Sequence, residues 1–102
     1  MNNQLLSFLG ICRRAGKMTL GYDSVVSSVT NGESCLVIMA DDISPRTEKH
    51  LTEALTGTPV SIMKVPYDRN TLGKSLGKFT AIISVNDRGF AVKITELIEN
   101  SQ

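Results

Sequence analysis

The chain has 102 residues, of which 41% are hydrophobic and 21% are charged, and its formal net charge is +1. This length fits one domain with a core that needs no cross-links, so we expect a single domain over residues 1–102. The longest apolar run, residues 35–40, is too short to span a bilayer, and the first twenty residues lack a signal-peptide pattern. The composition therefore predicts a soluble, cytoplasmic domain without a membrane partner.

Few residue types in the sequence are suited to catalysis or metal binding. His50 is the only histidine, and the two cysteines, Cys12 and Cys35, lack zinc-ligand spacing. We interpret the cysteines as small core residues and His50 as a surface or packing residue. Asp41 and Asp42 could hold a metal ion, or act with His50 in catalysis, but the sequence indicates no third carboxylate. We expect a non-catalytic protein with no cofactor and no metal.

The charges are segregated along the chain. Residues 1–20 carry three basic side chains and no acidic one, residues 21–63 carry six acidic and two basic, and residues 64–93 carry six basic and two acidic. A net charge of +1 does not favour non-specific polyanion binding, which needs a Lys or Arg for each neutralised phosphate. A local basic face forms only if segments 13–17 and 74–93 meet in space. The alternative is two solvated basic stretches.

The first half of the chain alternates predicted helices with a predicted strand. Apolar residues at three- and four-residue steps predict a helix over 2–15, which Gly16 ends. A short strand follows at 18–20. The same spacing predicts a second helix over 22–31, with an apolar stripe on one face and short polar side chains on the other. The polar side chains are Asp23, Ser24, Ser27 and Thr30.

The second half continues this alternation. The apolar run 35–40 predicts a central strand that is covered on both faces. Ser44 and Pro45 are typical of a helix start and predict a helix to about Leu55. The remaining predicted elements are a strand at 60–65, a short helix at 70–76 capped by Asp68, a strand at 81–85, and a helix at 90–99 after a turn with a capping Asp87. This alternation predicts an α/β fold, a three-layer α/β/α sandwich.

Residues 73–78 look faintly like a nucleotide phosphate loop. Three residues separate Gly73 from Gly77, whereas the phosphate loop needs four, and Phe79 follows Lys78 where that loop has Ser or Thr. We interpret the segment as a helix with a glycine stop.

The second predicted helix follows Gly21, and the side chains on its predicted exposed face, Asp23, Ser24 and Ser27, are all small. This arrangement lets a polyanion approach the backbone N–H groups, which the helix dipole favours. Ser and Asp side chains can also exchange hydrogen bonds with base edges and 2′-hydroxyls. The alternative is that these residues only cap and solubilise the helix.

The sequence contains a set of short motifs in a specific order and spacing. They are Arg13-Arg14-Ala15-Gly16-Lys17, Gly21, Asn31-Gly32, the segment Leu36 to Pro45 with its acidic pair, Leu72-Gly73, Gly77-Lys78 and the turn Asn86 to Ala91. From about residue 6 to residue 98 the chain resembles the ribosomal L7Ae/L30e superfamily of RNA-binding proteins, in particular its bacterial members of the YlxQ type. The resemblance implies an α/β/α sandwich with a four-stranded mixed sheet. It also implies binding of structured RNA, often a kink-turn, which is an internal loop with tandem G·A pairs.

The resemblance further implies that RNA contacts the amino end of the second helix. The family pattern there is Gly, a small residue, Asn, Glu and, three residues after the Glu, Lys. Gly21 matches this pattern, whereas Asp23 lacks the amide donor of Asn, Ser24 is shorter than Glu, and Ser27 lacks the charge of Lys. The family's acidic loop is retained at Asp41 and Asp42. The resemblance thus implies RNA binding and leaves kink-turn specificity open.

A second contact implied by the resemblance is the loop before the last strand, where Phe79 either stacks on a base or belongs to the core. The residues predicted to bind RNA are Arg13, Arg14, Lys17, Gly21, Asp23, Ser24, Ser27, Asp42, Lys74, Lys78, Phe79, Thr80 and Arg88. We expect a monomer that binds structured RNA, either ribosomal RNA or another kink-turn-like RNA, as an accessory protein of translation or the ribosome, and that does not bind DNA. The alternative is a protein-interaction module on the same fold that has lost RNA recognition.

Overall fold

Helices and strands alternate along the computed structural model, which describes residues 4–100. The elements are α1 (Gln4–Arg14), β1 (Met18–Leu20), α2 (Tyr22–Thr30), β2 (Leu36–Met39), α3 (Pro45–Ala54), β3 (Ser61–Lys64), α4 (Arg69–Leu76), β4 (Ile82–Val85) and α5 (Arg88–Asn100). Each predicted element is present with slightly shifted ends, and residues 2–3 of the first predicted helix lie outside the described range. The last helix begins at Arg88 because the Asp87 carboxylate accepts a hydrogen bond from the N–H of Phe90.

The four strands form one mixed sheet in the order β1-β4-β2-β3. β4 is antiparallel to both β1 and β2, and β2 is parallel to β3. The pairing register gives the sheet two distinct ends. The tip end, where β1 finishes and α2 begins, contains Leu20, Ile82, Met39 and Lys64, and the far end contains Met18, Val85, Leu36 and Ser61.

Helices cover both faces of the sheet, which confirms the predicted three-layer α/β/α sandwich. Leu36 and Ile38 of β2 pack in the cluster formed with α1, α4 and α5. Val37 and Met39 pack in a second cluster with α2 and α3. Because successive side chains of a strand point to opposite faces, a strand covered on both faces is apolar throughout, which explains the continuous apolar run.

The prediction that both cysteines belong to the core is right for one and wrong for the other. Cys12 is buried, and its burial together with the nearby Asp87 carboxylate raises the pKa of its thiol to about 11. Cys35 is exposed because it precedes β2, at the mouth of a cleft that also contains Pro59 and Val60. His50 is exposed on α3, as expected.

Candidate nucleic-acid interface

The amino end of α2 is open to solvent. Gly21 precedes the helix with a φ of 94°, a conformation that favours glycine, and an added Cβ there would meet no atom within 4 Å. No side chain among the described residues caps the first turn of α2, so the capping alternative is wrong for this helix. The next three helices are capped by Ser44, Asp68 and Asp87. The first backbone N–H groups of α2 are therefore accessible to a ligand.

The polar face of α2 is exposed as predicted. Asp23, Ser24 and Ser27 are exposed, and Val25 on the opposite face is fully buried against the sheet. Small exposed side chains beside accessible N–H groups allow a bulky polyanion to approach the helix backbone closely.

A chain of hydrogen bonds between polar side chains, two of them buried and three half-buried, holds α2 on the sheet. Thr19 of β1 and Ser28 of α2 lie 2.9 Å apart at their hydroxyl oxygens, and the Asn86 amide donates to Thr19 at 3.5 Å. The Ser84 Oγ lies 2.6 Å from the Asn86 Oδ1 and 2.7 Å from the Ser34 Oγ. Because an amide oxygen only accepts and a hydroxyl has one proton, Ser84 donates to Asn86 and accepts from Ser34. The sequence pattern gave no sign of this chain.

Asp42 binds Arg69, a residue that the sequence analysis missed. The Asp42 carboxylate accepts hydrogen bonds from the Arg69 N–H at 3.0 Å and from its Nε at 3.3 Å. The Arg69 guanidinium carbon also lies 5.5 Å from the centroid of the Phe79 ring, within cation–π distance. Asp42 and Arg69 are 27 residues apart, so no local pattern could indicate their pairing.

The loop before β4 presents Phe79 to solvent. Its side chain is 60% exposed, so the alternative that it belongs to the core is wrong. The backbone of Phe79 lies so close to α4 that a Cβ on Gly73 would come within 3.2 Å of the Phe79 Cα. Thr80 is buried, and its hydroxyl donates to the carbonyl of Ile82 and accepts from the same residue's N–H. Thr80 therefore shapes this loop and does not offer its hydroxyl to a ligand, which corrects its prediction as a contact residue.

A cleft of about 380 Å³ beside Phe79 is lined by Asn70, Gly73, Lys74, Gly77 and Lys78. Gly73 and Lys74 lie within α4, and Gly77 ends the helix in the left-handed conformation. The segment is a helix with a glycine stop, as interpreted, rather than a phosphate loop. The cleft places two lysine side chains next to an exposed aromatic ring.

These features share the tip end of the sheet. The Gly21 N–H donates to the Ile82 carbonyl at 3.0 Å, the Ala40 N–H donates to the Ala81 carbonyl at 2.9 Å, and the Asp41 N–H donates to the Tyr67 carbonyl at 2.9 Å. We call the exposed and half-buried residues around this end the tip surface. Its members are Gly21, Asp23, Ser24, Ser27, Asp41, Asp42, Asp68, Arg69, Lys74, Lys78 and Phe79.

The tip surface is mixed in charge. Asp23 on α2 and Asp41 after β2 are exposed carboxylates, whereas Asp42 is paired with Arg69. Asp68 caps α4, and the hydrogen bonds that it accepts from the N–H and the side chain of Thr71 lower the pKa of its carboxyl. The local fields of acids and bases thus offset each other, so this surface cannot attract phosphates by charge alone.

The other four predicted cations lie in two places. Lys17 and Arg88 flank the far end of the sheet, where the Asn86 N–H donates to the Lys17 carbonyl at 2.8 Å. We call these two residues the basic end. Arg13 and Arg14 end α1, and the Arg13 Nε donates to the carbonyl of Leu76 at the carboxyl end of α4, two residues before Lys78.

The described residues contain neither a metal cluster nor a membrane span. Across residues 4–100, no three His, Cys, Asp or Glu side chains gather where they could bind a metal ion. In the same range, every helix is too short or too polar to cross a bilayer. The Asp42 carboxylate, one of the two candidate metal ligands, is occupied by Arg69.

Comparison with known proteins gives matches over most of the chain. A family model described as the ribosomal protein L7Ae/L30e/S12e/Gadd45 family matches residues 3–94. The RNA-binding protein YlxQ of Bacillus subtilis (strain 168) is 35% identical over 92 residues, which cover 89% of this chain and 91% of that protein. The large ribosomal subunit protein eL30 of Candida glabrata is 29% identical over 91 residues, 87% of each chain. The solved structure of a protein with unknown function from Bacillus halodurans C has 33% identity and a TM-score of 0.88, covering 96% of this chain and 99% of that one.

Proposed function

Because this chain belongs to the ribosomal protein L7Ae/L30e/S12e/Gadd45 family, we propose that it is a non-catalytic, cytoplasmic protein that binds structured RNA at its tip surface. The observation that carries the proposal is the uncapped first turn of α2 at the same end of the sheet as the exposed ring of Phe79. The 35% identity to a protein named as RNA-binding supports it.

The tip surface offers two kinds of contact to RNA. Backbone N–H groups of α2, with the short side chains of Asp23 and Ser24, form hydrogen bonds with base edges, 2′-hydroxyls or phosphate oxygens. Phe79 stacks on an unpaired base, and Lys74 and Lys78 in the neighbouring cleft neutralise the adjoining phosphates. Such a surface selects a folded RNA with splayed bases over a regular duplex.

We propose that the RNA motif is a kink-turn-like internal loop. This chain binds it less tightly than a protein with the family residues at the amino end of the second helix would. The carboxylate of Asp23 cannot donate the amide hydrogen bonds of an Asn, and Ser27 provides no cation for a phosphate. The identity to a large-subunit ribosomal protein supports the ribosome as the place where this RNA is found. We expect the protein to bind as a monomer.

Restoring the family chemistry on α2 tests this site. The double variant Asp23→Asn/Ser27→Lys regains an amide donor and a cation, and we expect it to bind a hairpin RNA with tandem G·A pairs about tenfold more tightly, the effect of one charge-assisted contact. The matched control Asp23→Asn/Thr30→Lys adds the same charge at the other end of α2, where Thr30 is exposed. Isothermal titration with purified proteins gives both affinities. Equal gains in the two variants, or no gain, would place the RNA elsewhere.

A protein-interaction module is the second candidate, and the carboxylate at Asp23 together with the exposed Phe79 favours it. Nuclease treatment of cell lysate separates the two functions, because it dissolves complexes that RNA bridges and leaves direct protein complexes intact. Crosslinking in cells followed by sequencing of the attached RNA then identifies the RNA. We expect ribosomal or other internal-loop sequences, and an absence of crosslinked RNA would contradict the proposal.

A further inference from the structure

The carboxyl ends of α1 and α4 lie side by side and bring two arginines onto α4. The Arg13 Nε donates to the carbonyl of Leu76 at 3.4 Å. A Cβ added at Gly10 would come within 3.3 Å of the Arg14 Nη1 and 3.4 Å of the Ser75 carbonyl oxygen, so these two atoms are close neighbours. Both guanidinium groups therefore lie at the last turn of α4, although they belong to α1.

Two lysines of the tip surface lie on the same stretch of α4. Lys74 directly precedes Ser75, and Lys78 follows Leu76 by two residues, a length of chain that spans at most about 7 Å. Both lysines line the cleft beside Phe79. The arginines thus continue, across the end of α4, the row of cations that begins at the aromatic ring. We call Arg13, Arg14, Lys74 and Lys78 the basic ridge.

The cations of the basic ridge are not neutralised by ion pairs. None of the ion pairs within residues 4–100 includes a member of the ridge. The nearby carboxylates of Asp68 and Asp87 cap α4 and α5 by accepting backbone N–H groups. The carbonyl groups at the end of α4 favour a cation, and Arg13 meets this need. Three exposed cations, those of Arg14, Lys74 and Lys78, are then left for a ligand.

The exposed ring of Phe79 directly follows the last lysine of the ridge. Between the two lysines Gly77 is exposed, and a Cβ added there would meet no atom within 4 Å, so a bulky ligand can approach this backbone closely. An aromatic ring next to a row of cations is the arrangement that binds single strands, because a base stacks on the ring while the cations follow the phosphates. A regular duplex offers no free base to the ring.

We propose that the basic ridge binds the sugar–phosphate backbone of an unpaired RNA strand, which continues from the base stacked on Phe79 across the end of α4 to Arg14. This proposal rests on the proposed function and names the RNA that the site prefers, an internal loop with a long unpaired strand. Lys78 and Lys74 contact the phosphates next to the stacked base, and Arg14 contacts a phosphate further along. These contacts fix the path of the strand without reading its sequence.

The length of the unpaired strand tests this path. The probes are two hairpin RNAs with the same stems and the same tandem G·A pairs, whose unpaired strand has about three or about eight nucleotides, the latter within the range of known single-strand sites. We expect the wild-type chain to bind the RNA with the long strand several-fold more tightly. Its affinity should also depend more steeply on salt, because more phosphates are neutralised.

The variant Arg14→Gln removes the cation at the end of the path. For the RNA with the long strand we expect the slope of log affinity against log salt to fall by about 0.7, the value for one phosphate of a single strand. Binding of the RNA with the short strand should stay unchanged, and Arg14→Lys should keep the wild-type slope. The control Lys49→Gln removes an exposed cation of α3, on the other face of the sheet, and should change neither RNA. Thermal unfolding checks that each variant is folded.

The possible results separate this proposal from the proposed function. If the wild-type chain binds both RNAs equally well, the path is wrong and the tip surface stands. If it binds neither RNA, the proposed function is wrong as well. If Arg14→Gln leaves both slopes unchanged, or weakens both RNAs equally, the long strand does not lie on the ridge. If Arg14→Gln abolishes only a nuclease-resistant protein complex, the ridge binds a protein partner and the proposal is overturned.

Discussion

The tip surface and the basic end, which consists of Lys17 and Arg88, lie at opposite ends of one sheet and offer different chemistry. At the tip surface, accessible N–H groups, small polar side chains and one exposed ring are combined with acids and bases that offset each other. At the basic end, Lys17 and Arg88 stand without an ion pair among the described residues. Under the proposed function, the tip surface provides the base contacts, which carry specificity in RNA recognition.

The largest effect on RNA affinity is expected for the aromatic ring of the tip surface, Phe79. Replacing Phe79 with Ala should weaken binding of a hairpin RNA with tandem G·A pairs by about 1–3 kcal/mol, because one stacked base is lost. The salt dependence should not change, since no charge is removed. Ile11→Ala is the matched control, because Ile11 is an exposed apolar residue on α1, away from the tip surface. Equal losses in the two variants would show that the ring is not a specific contact.

The sequence predicted the three layers, the order of helices and strands along the chain and most helix ends. These features follow from local periodicity and from capping residues. Asp68 and Ser44 cap the helices that they were expected to cap. The pairing of Asp42 with Arg69 could not be predicted, because it depends on how two loops meet after the sheet has formed.

A smaller effect is expected from the polar chain that ties α2 to the turn bearing Arg88. Ser84→Ala removes the hydrogen bonds to the Asn86 Oδ1 and the Ser34 hydroxyl, which should lower the free energy of unfolding by about 0.5–1.5 kcal/mol. Urea denaturation measures this loss. Ser61→Ala, at an exposed position of β3, should change the free energy of unfolding by less than about 0.5 kcal/mol. A Ser84→Ala protein as stable as Ser61→Ala would mean that the two regions are not tied together by this chain.

The smallest effect concerns the acidic side of the tip surface. The pKa of the Asp68 carboxyl is lowered in the folded state, chiefly by the hydrogen bond from the Thr71 N–H. Its contribution to stability is therefore present above the unfolded pKa and is lost as pH falls through the lowered folded value. Asp68→Asn keeps the helix cap but does not titrate. As pH falls below about 4, the unfolding temperature of this variant should therefore decrease less steeply than that of the wild type. Parallel curves would contradict this role of Asp68.

The most direct test of the tip surface as the RNA-binding site is to locate the bound RNA on the protein. An NMR titration of backbone amides with a hairpin RNA containing tandem G·A pairs reports every contact region at once. We expect the amides of Gly21 to Ser24 and of Lys78 to Thr80 to shift first, while those of Lys17 and Arg88 stay unchanged. Early shifts confined to the basic end, with the α2 amides unchanged, would contradict the assignment of the tip surface as the RNA-binding site.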